Sequence, residues 1–272
     1  MHEADSFEAE RARAAAGDAE GQTALAKLLL EAGGAGARAE AEQWLRRAAE
    51  RGFARAKHLL GGLCLQDDKR GAEAVEWFRQ AAHDGWPESI YMFAAMSERR
   101  GDIETARRLY VDAALKGYAL AQDAVSGIHF ERDTEEDHAP ALHWAKAAAR
   151  QGVPQAFTRL GTIYHEGRGT AQDPERAIAC FLEGARRGHA GGQVMIGVAF
   201  HIGNCVATDL VESAHWLMRS VAQDHELGRI YLPDVLTELR PHQIKEAEWR
   251  ANAPLPPVEI PAWAWLQDDE AD

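Results

Sequence analysis

Residues 156–190, "AFTRLGTIYHEGRGTAQDPERAIACFLEGARRGHA", hold the stretch whose reading decides the fold. The centre, Tyr164 to Ala177, sets a histidine, a glutamate and two glycines ahead of a proline, and allows a phosphate loop, a His/Glu pair or a turn between helices. A phosphate loop needs a preceding strand and a lysine followed by Ser or Thr where its helix begins. Here Gly167 and Gly169 follow a helical pattern, and no such lysine is present. Asp173 stands before Pro174, the order of an N-capping carboxylate followed by a residue that needs no amide hydrogen in the first turn. Asp209 takes the equivalent place further on, with Glu212 three residues later to complete a capping box. The stretch therefore reads as helix, turn, helix.

Working outward, the closing phrase "GARRG" (Gly184 to Gly188) returns as "AAERG", "AAHDG", "AALKG", "AARQG" and, degenerate, "SVAQD". The phrases end at residues 52, 85, 117, 152, 188 and 224, a period of 32 to 36 residues that holds two helices and two turns. Eight residues before each end stands Trp44, Trp77, Leu109, Trp144, Cys180 or Trp216, and three residues earlier a small one, Ala41, Ala74, Ala106, Ala141, Ala177 or Ser213. This stripe predicts a second helix whose indoles fill the gap left by small neighbours, with Phe181 supplying the volume Cys180 lacks. The first helix shows its own columns. Its fifth position reads Leu25, Leu60, Phe93, Val125, Leu160, Ile196 and Leu232, and its sixth Ala26, Gly61, Ala94, Ser126, Gly161 and Gly197. Pro233 breaks the sixth column and predicts the end of faithful repetition.

Over about residues 18 to 232 these units resemble the sel-one-like repeats (SLR), relatives of the tetratricopeptide repeats. The best matches are the opening stretch and "GQVMIGVAFHIGNCVATDLVESAHWLMRSVAQDH", whereas repeats three and four lack the glycine pair between their helices. The resemblance implies an all-α, right-handed superhelical solenoid of about six helix-turn-helix units with terminal helical caps. The expected layout is an N-terminal helical cap at 1–20, repeats at 21–234, a C-terminal cap helix at 235–251 against which Trp249 packs, and an extended Pro/Trp/acidic tail at 252–272. Trp263 and Trp265 are expected to fold back onto the array, since exposed indoles are costly.

Function follows from what the chain excludes as well as from what it offers. Thirty Lys plus Arg against 43 Asp plus Glu give a net charge of −13, which disfavours nucleic acid and favours a partner with a basic surface. No apolar stretch reaches the length of a membrane span and the N-terminus lacks a secretory core, so a cytoplasmic, monomeric protein is expected. Cys64, Cys180 and Cys205 read as small buried residues rather than a disulfide framework. His165 and Glu166 are adjacent and cannot face each other on a helix, and no HExxH pattern occurs, so neither a catalytic pair, a metal site nor a cofactor is expected. The family likeness implies that positions three, seven and ten of each first helix line a concave groove. These include Thr23, His58, Tyr91, Asp123, Thr158 and Val194 at the third, and Phe130, His165 and His201 at the tenth, with Glu131 and Glu166 beside them. From these, Tyr91, Asp123, Phe130, Glu131, His165, Glu166 and His201 are the candidate protein-binding residues. The expected function is a non-catalytic scaffold or adaptor holding a basic peptide or protein segment. The alternatives are an immunity protein that occludes a basic toxin or enzyme, and a hydrolase or metal-dependent enzyme hidden in the groove. The run "ERDTEEDH" (131–138) reads as a solubilising connection within repeat four, with docking of a basic partner as its other reading.

Overall fold

The computed structural model describes residues 2–267, and every regular element among them is a helix. The acidic end of the tail, Asp268, Asp269, Glu270 and Asp272, lies outside the described residues. Two compact units divide the chain, Met1–Ala121 and Gln122–Asp272. The first holds α1 (His2–Ala15), α2 (Ala19–Ala32), α3 (Ala35–Glu50), α4 (Ala54–Leu65), α5 (Gly71–His83), α6 (Pro87–Arg99) and α7 (Ile103–Leu115). Within it α2 pairs with α3, α4 with α5 and α6 with α7, while α1 covers the open side of α2. Most of α8 (Ala119–Arg132) belongs to the second unit, with α9 (Glu135–Arg150), α10 (Pro154–Glu166), α11 (Pro174–Arg186), α12 (Ala190–Ile202) and α13 (Leu210–Val221). There α10 pairs with α11 and α12 with α13, and α14 (Glu226–Glu238) and α15 (Pro241–Asn252) both pack on α13.

The closing phrases end their helices as the period requires. Gly52, Gly85, Gly117, Gly152 and Gly188 all have φ between 83° and 88°, where a Cβ is penalised. Asp224, at the degenerate sixth phrase, is held at φ 62°, so the backbone geometry persists where the glycine is lost. In the opening stretch Gly167 terminates α10 in the left-handed conformation, and the Asp173 carboxylate accepts from the amide of Arg176 to start α11. Asp209 likewise accepts from the amides of Val211 and Glu212. The capping box expected there does not close, because the Glu212 carboxylate turns instead to His215 and Arg250.

The packing corrects one column. The gap beside the glycines at the sixth position is filled not by the tryptophan column but by the residue after it, as expected only of Phe181. A Cβ on Gly61 would lie 2.8 Å from the Phe78 ring, one on Gly161 2.5 Å from Phe181, and one on Gly197 2.9 Å from Leu217. Leu45, Phe78, Phe181 and Leu217 are at most 2% exposed, whereas Trp44, Trp77 and Trp144 are half-buried. Being amphipathic, the outer indoles keep a polar edge toward water. Trp44 donates to Glu40 at 3.3 Å and Trp77 to Glu73 at 3.2 Å, one turn back in each case. The fifth column is buried as read, apart from half-buried Phe93 and Leu232.

Two further expectations change at the C-terminal end. α14 runs through Pro233, because Pro233 and Arg229, the residue whose carbonyl loses its helical donor, both lie on the exposed side where water can replace the bond. Residue 235 thus sits inside α14, and the chain turns at Leu239 and Arg240 before α15. Trp249 does not pack into the cap. It is 73% exposed, and α15 buries Ala247 and rests Ile244 on the core instead. Cys205 also departs from expectation, being exposed while Cys64 and Cys180 are buried.

The tail folds back over α10. From Ala253 to Trp263 it has no regular structure, and α16 (Ala264–Gln267) closes it with a short helical turn. Trp263 and Trp265 stack with centroids 4.8 Å apart, Trp263 meeting Phe157 edge-on at 6.3 Å and Trp265 meeting Tyr164 edge-on at 5.3 Å. The Arg176 guanidinium caps both Tyr164 and Trp265, Arg187 donates to the Glu259 carbonyl at 2.6 Å, and Leu266 is fully buried.

Candidate binding surface

Of the third, seventh and tenth positions of the first helices, some lie at the surface and others are buried, and the residues there do not act as one set. Thr23 and Val194 are buried and line no surface. Tyr91 sits in the first unit between Tyr110 at 5.5 Å and Tyr118 at 5.3 Å, and the Tyr110 hydroxyl donates to Glu98. Burial, reinforced by the Glu98 carboxylate, pushes the Tyr110 phenol well above its ordinary range.

In the second unit Asp123, Phe130 and Glu166 are joined by two arginines that the sequence reading passed over. Arg168 places its guanidinium 4.3 Å from the centroid of Phe130 while pairing with Glu166 at 2.5 Å and Asp133 at 2.9 Å. Arg159 approaches the same ring at 6.0 Å and pairs with Asp123 at 3.4 Å. Its guanidinium lies over Gly127, the small seventh position, where a Cβ would come within 3.1 Å. The signal was present, since Arg159 directly follows the third-position Thr158 and Arg168 lies between the two loop glycines.

The remaining candidates stand apart. Glu131 is exposed, and so is His165, which edges a small cleft with Ile178 and Ile202. His201 bonds Glu238 of α14 at 2.8 Å. Within the acidic run, only Asp133 and Thr134 fall outside helices. Asp137 is buried against His129 and Thr134, Asp133 pairs with His138, and Glu131, Glu135 and Glu136 remain exposed.

Thr158, another third-position residue, is tied to the next hairpin. Its hydroxyl lies 2.7 Å from His189 Nδ1, which also accepts from the amide of Gly192 at the start of α12. Burial holds the His189 imidazole below its ordinary value of 6.5, and His58, 2.9 Å from the buried Ser89 hydroxyl, is shifted the same way for the same reason. Below 6.5 the unfolded chain takes up protons that these folded imidazoles refuse, so stability is full above that value and declines as pH falls through it. Thermal melts between about pH 7.5 and 5 should show this decline, and His189→Asn, which keeps a capping acceptor that does not titrate, should leave only the His58 share.

Among the described residues, no group of three His, Cys, Asp or Glu side chains could hold a metal ion, and no helix is long and apolar enough to cross a membrane.

Known structures and sequences match this architecture. A protective antigen present in uropathogenic Escherichia coli strains, displaying an SLR fold, superposes with a TM-score of 0.79 at 26% identity over 90% of this chain. The chain spans only 55% of that protein's length. A Sel1 repeat protein from Oxalobacter formigenes, at 21% identity and a TM-score of 0.67, covers 87% of this chain and 99% of its own, and shows the fold alone. The Sel1 repeat profile matches residues 19–53, 54–86, 119–153 and 154–189, together just over half of the 272 residues. It passes over the hairpins α6/α7 and α12/α13, the second of which contains one of the two stretches that carried the likeness in sequence. The chain belongs to the Sel1 repeat family.

Proposed function

We propose that this protein is an interaction scaffold whose second unit holds an arginine-bearing segment of a protein partner against Phe130. Sel1 repeat proteins generally mediate protein–protein interaction, and the surface at α8 supplies the chemistry for one kind of partner. The observation that carries the reading is the ring of Phe130, half-exposed, with two guanidinium groups over it and Asp123, Asp133 and Glu166 around them. Those carboxylates are already paired with Arg159 and Arg168, so an arriving arginine takes the ring by displacing one of the protein's own guanidiniums, an exchange to which this aromatic face is suited. Exposed Glu131, Glu135 and Glu136 and the net charge of −13 attract a basic segment to it.

Fluorescence anisotropy with a labelled peptide of alternating arginine and aromatic residues, beside a peptide with glutamate in place of arginine, tests this. The basic peptide should bind, salt should weaken it, and Phe130→Ala should lower its affinity about three- to tenfold, the worth of a partly exposed cation–π contact. Equal binding of the acidic peptide, or an unchanged affinity in the Phe130 variant, would remove the basis of the proposal.

A further inference from the structure

A second feature lies away from that surface, in a cleft of about 460 Å³ between α11, α13, α15 and the first residues of the tail. Its size is that of a small-molecule site, and Leu182, Phe200, Trp216, Trp249 and Leu255 give it a largely apolar wall. Trp249, left on the rim with most of its indole in water, has no packing role in the cap.

The polar groups of the cleft are out of balance. Arg219 donates through Nε to His215 at 2.9 Å and through Nη2 to the carbonyls of Arg250 and Ala253, but faces no carboxylate among the described residues. Burial without a counter-charge pulls its guanidinium below the ordinary arginine value. Arg186, on the exposed rim, likewise forms no ion pair among the described residues. Glu212, the single carboxylate in the wall, is committed to His215 Nδ1 at 3.2 Å and to Arg250. That commitment leaves a mark on the repeat pattern. Trp44 and Trp77 donate to the glutamate one turn back, and Glu212 holds the same place before Trp216, yet the Trp216 Nε1 is buried with no acceptor. A half-buried cation without a counter-charge and a buried donor without an acceptor are each unfavourable. Both stand beside one apolar cleft.

We propose that this cleft binds a small organic anion, a carboxylate on an aromatic or aliphatic body, with the charged end among Arg186, Arg219 and Arg250, all of which line the cleft, and the apolar part against Trp249, Leu182 and Leu255. An arriving carboxylate supplies the counter-charge that Arg219 lacks. By competing for Arg250 it also frees Glu212 to accept from Trp216, as Glu40 and Glu73 do for their tryptophans.

The test is titration of the full chain, with its tryptophan indoles labelled with nitrogen-15, by benzoate, indole-3-acetate and octanoate, and by the uncharged amide of each. The indole N–H signals of Trp216 and Trp249 should shift saturably with at least one of the carboxylates, the Trp216 signal moving downfield as its hydrogen bond forms. The matching amide should bind at least about fivefold more weakly. Arg186→Gln and Trp249→Ala, both at exposed positions and expected to leave the melting temperature unchanged, should each weaken binding about fivefold or more, whereas Phe130→Ala should not. Failure of all three carboxylates to saturate either signal by about 10 mM, or equal affinity for acid and amide with no effect of Arg186→Gln, overturns the proposal.

Discussion

Replacing Leu160 by alanine is expected to destabilise the second unit by about 2 to 5 kcal/mol, read as a fall in the urea midpoint. Leu160 is fully buried in α10, and the next residue, Gly161, brings the helix so close to Phe181 of α11 that no Cβ fits between them. That contact fixes the spacing of the two helices, so the vacated volume cannot be recovered by their moving together, which places the loss in the upper part of the range. Ile196, equally buried in α12 one repeat later, should behave alike. Because each hairpin rests on its neighbours, the double variant should depart from additivity. A loss below about 1 kcal/mol for either single variant would mean that the fifth column does not hold the hairpins together.

Ending the chain after Asn252 is expected to cost about 2 to 4 kcal/mol and to lower the melting temperature of the second unit. The truncation removes Leu266, which is fully buried, and the stacked pair Trp263 and Trp265, and it uncovers Phe157 and Tyr164, now 0% and 1% exposed. Against this stands the entropy of ordering the tail, a cost reduced by Pro254, Pro256, Pro257 and Pro261, which restrict the free chain before it docks. Trp265→Ala should reproduce a part of the loss, since it deletes the contacts to Tyr164 and to Arg176 while leaving the tail's carbonyl bonds to Arg187 and Arg150 in place. A truncated chain with unchanged melting would show that the tail lies on the unit without stabilising it. Dye binding to newly exposed Phe157 and Tyr164 would be the complementary sign of its loss.

The period, the turns that close the hairpins and most of the buried fifth column were legible in the sequence because each depends on local chemistry. A glycine past a helix end, a capping aspartate before a proline and an apolar residue every few positions act within one or two turns of chain. Asp224 shows the strength of this logic, adopting the left-handed conformation that its place in the period demands even without a glycine. The segment between Gly167 and Asp173 reads as a turn for the same reason. What failed in the reading was a matter of neighbours. Adjacent positions on a helix differ by about 100° of rotation, and only the mate across the hairpin decided that Phe78 and not Trp77 fills the space beside Gly61. Trp249 read as a core residue because its type is commonly buried, but the slot it needed is taken by Ala247 and Ile244.

The candidate surface divides along the same line. The family likeness implies outward positions for Asp123 and Phe130, with Glu166 beside another, whereas Arg159 and Arg168 come from α10 and the loop after it and reach the α8 ring only when the hairpins stack. The cleft was not legible at all, since α11, α13, α15 and the tail, which meet there, are spread over the stretch from Leu182 to Pro256. By itself the sequence determined that the chain forms paired helices in a repeated unit, because backbone conformation and apolar periodicity are local properties that each residue carries wherever it stands. The tertiary structure alone decided which side chains meet, which charges find a counter-ion and which are left without one, because those outcomes depend on distances between segments that no spacing along the chain encodes.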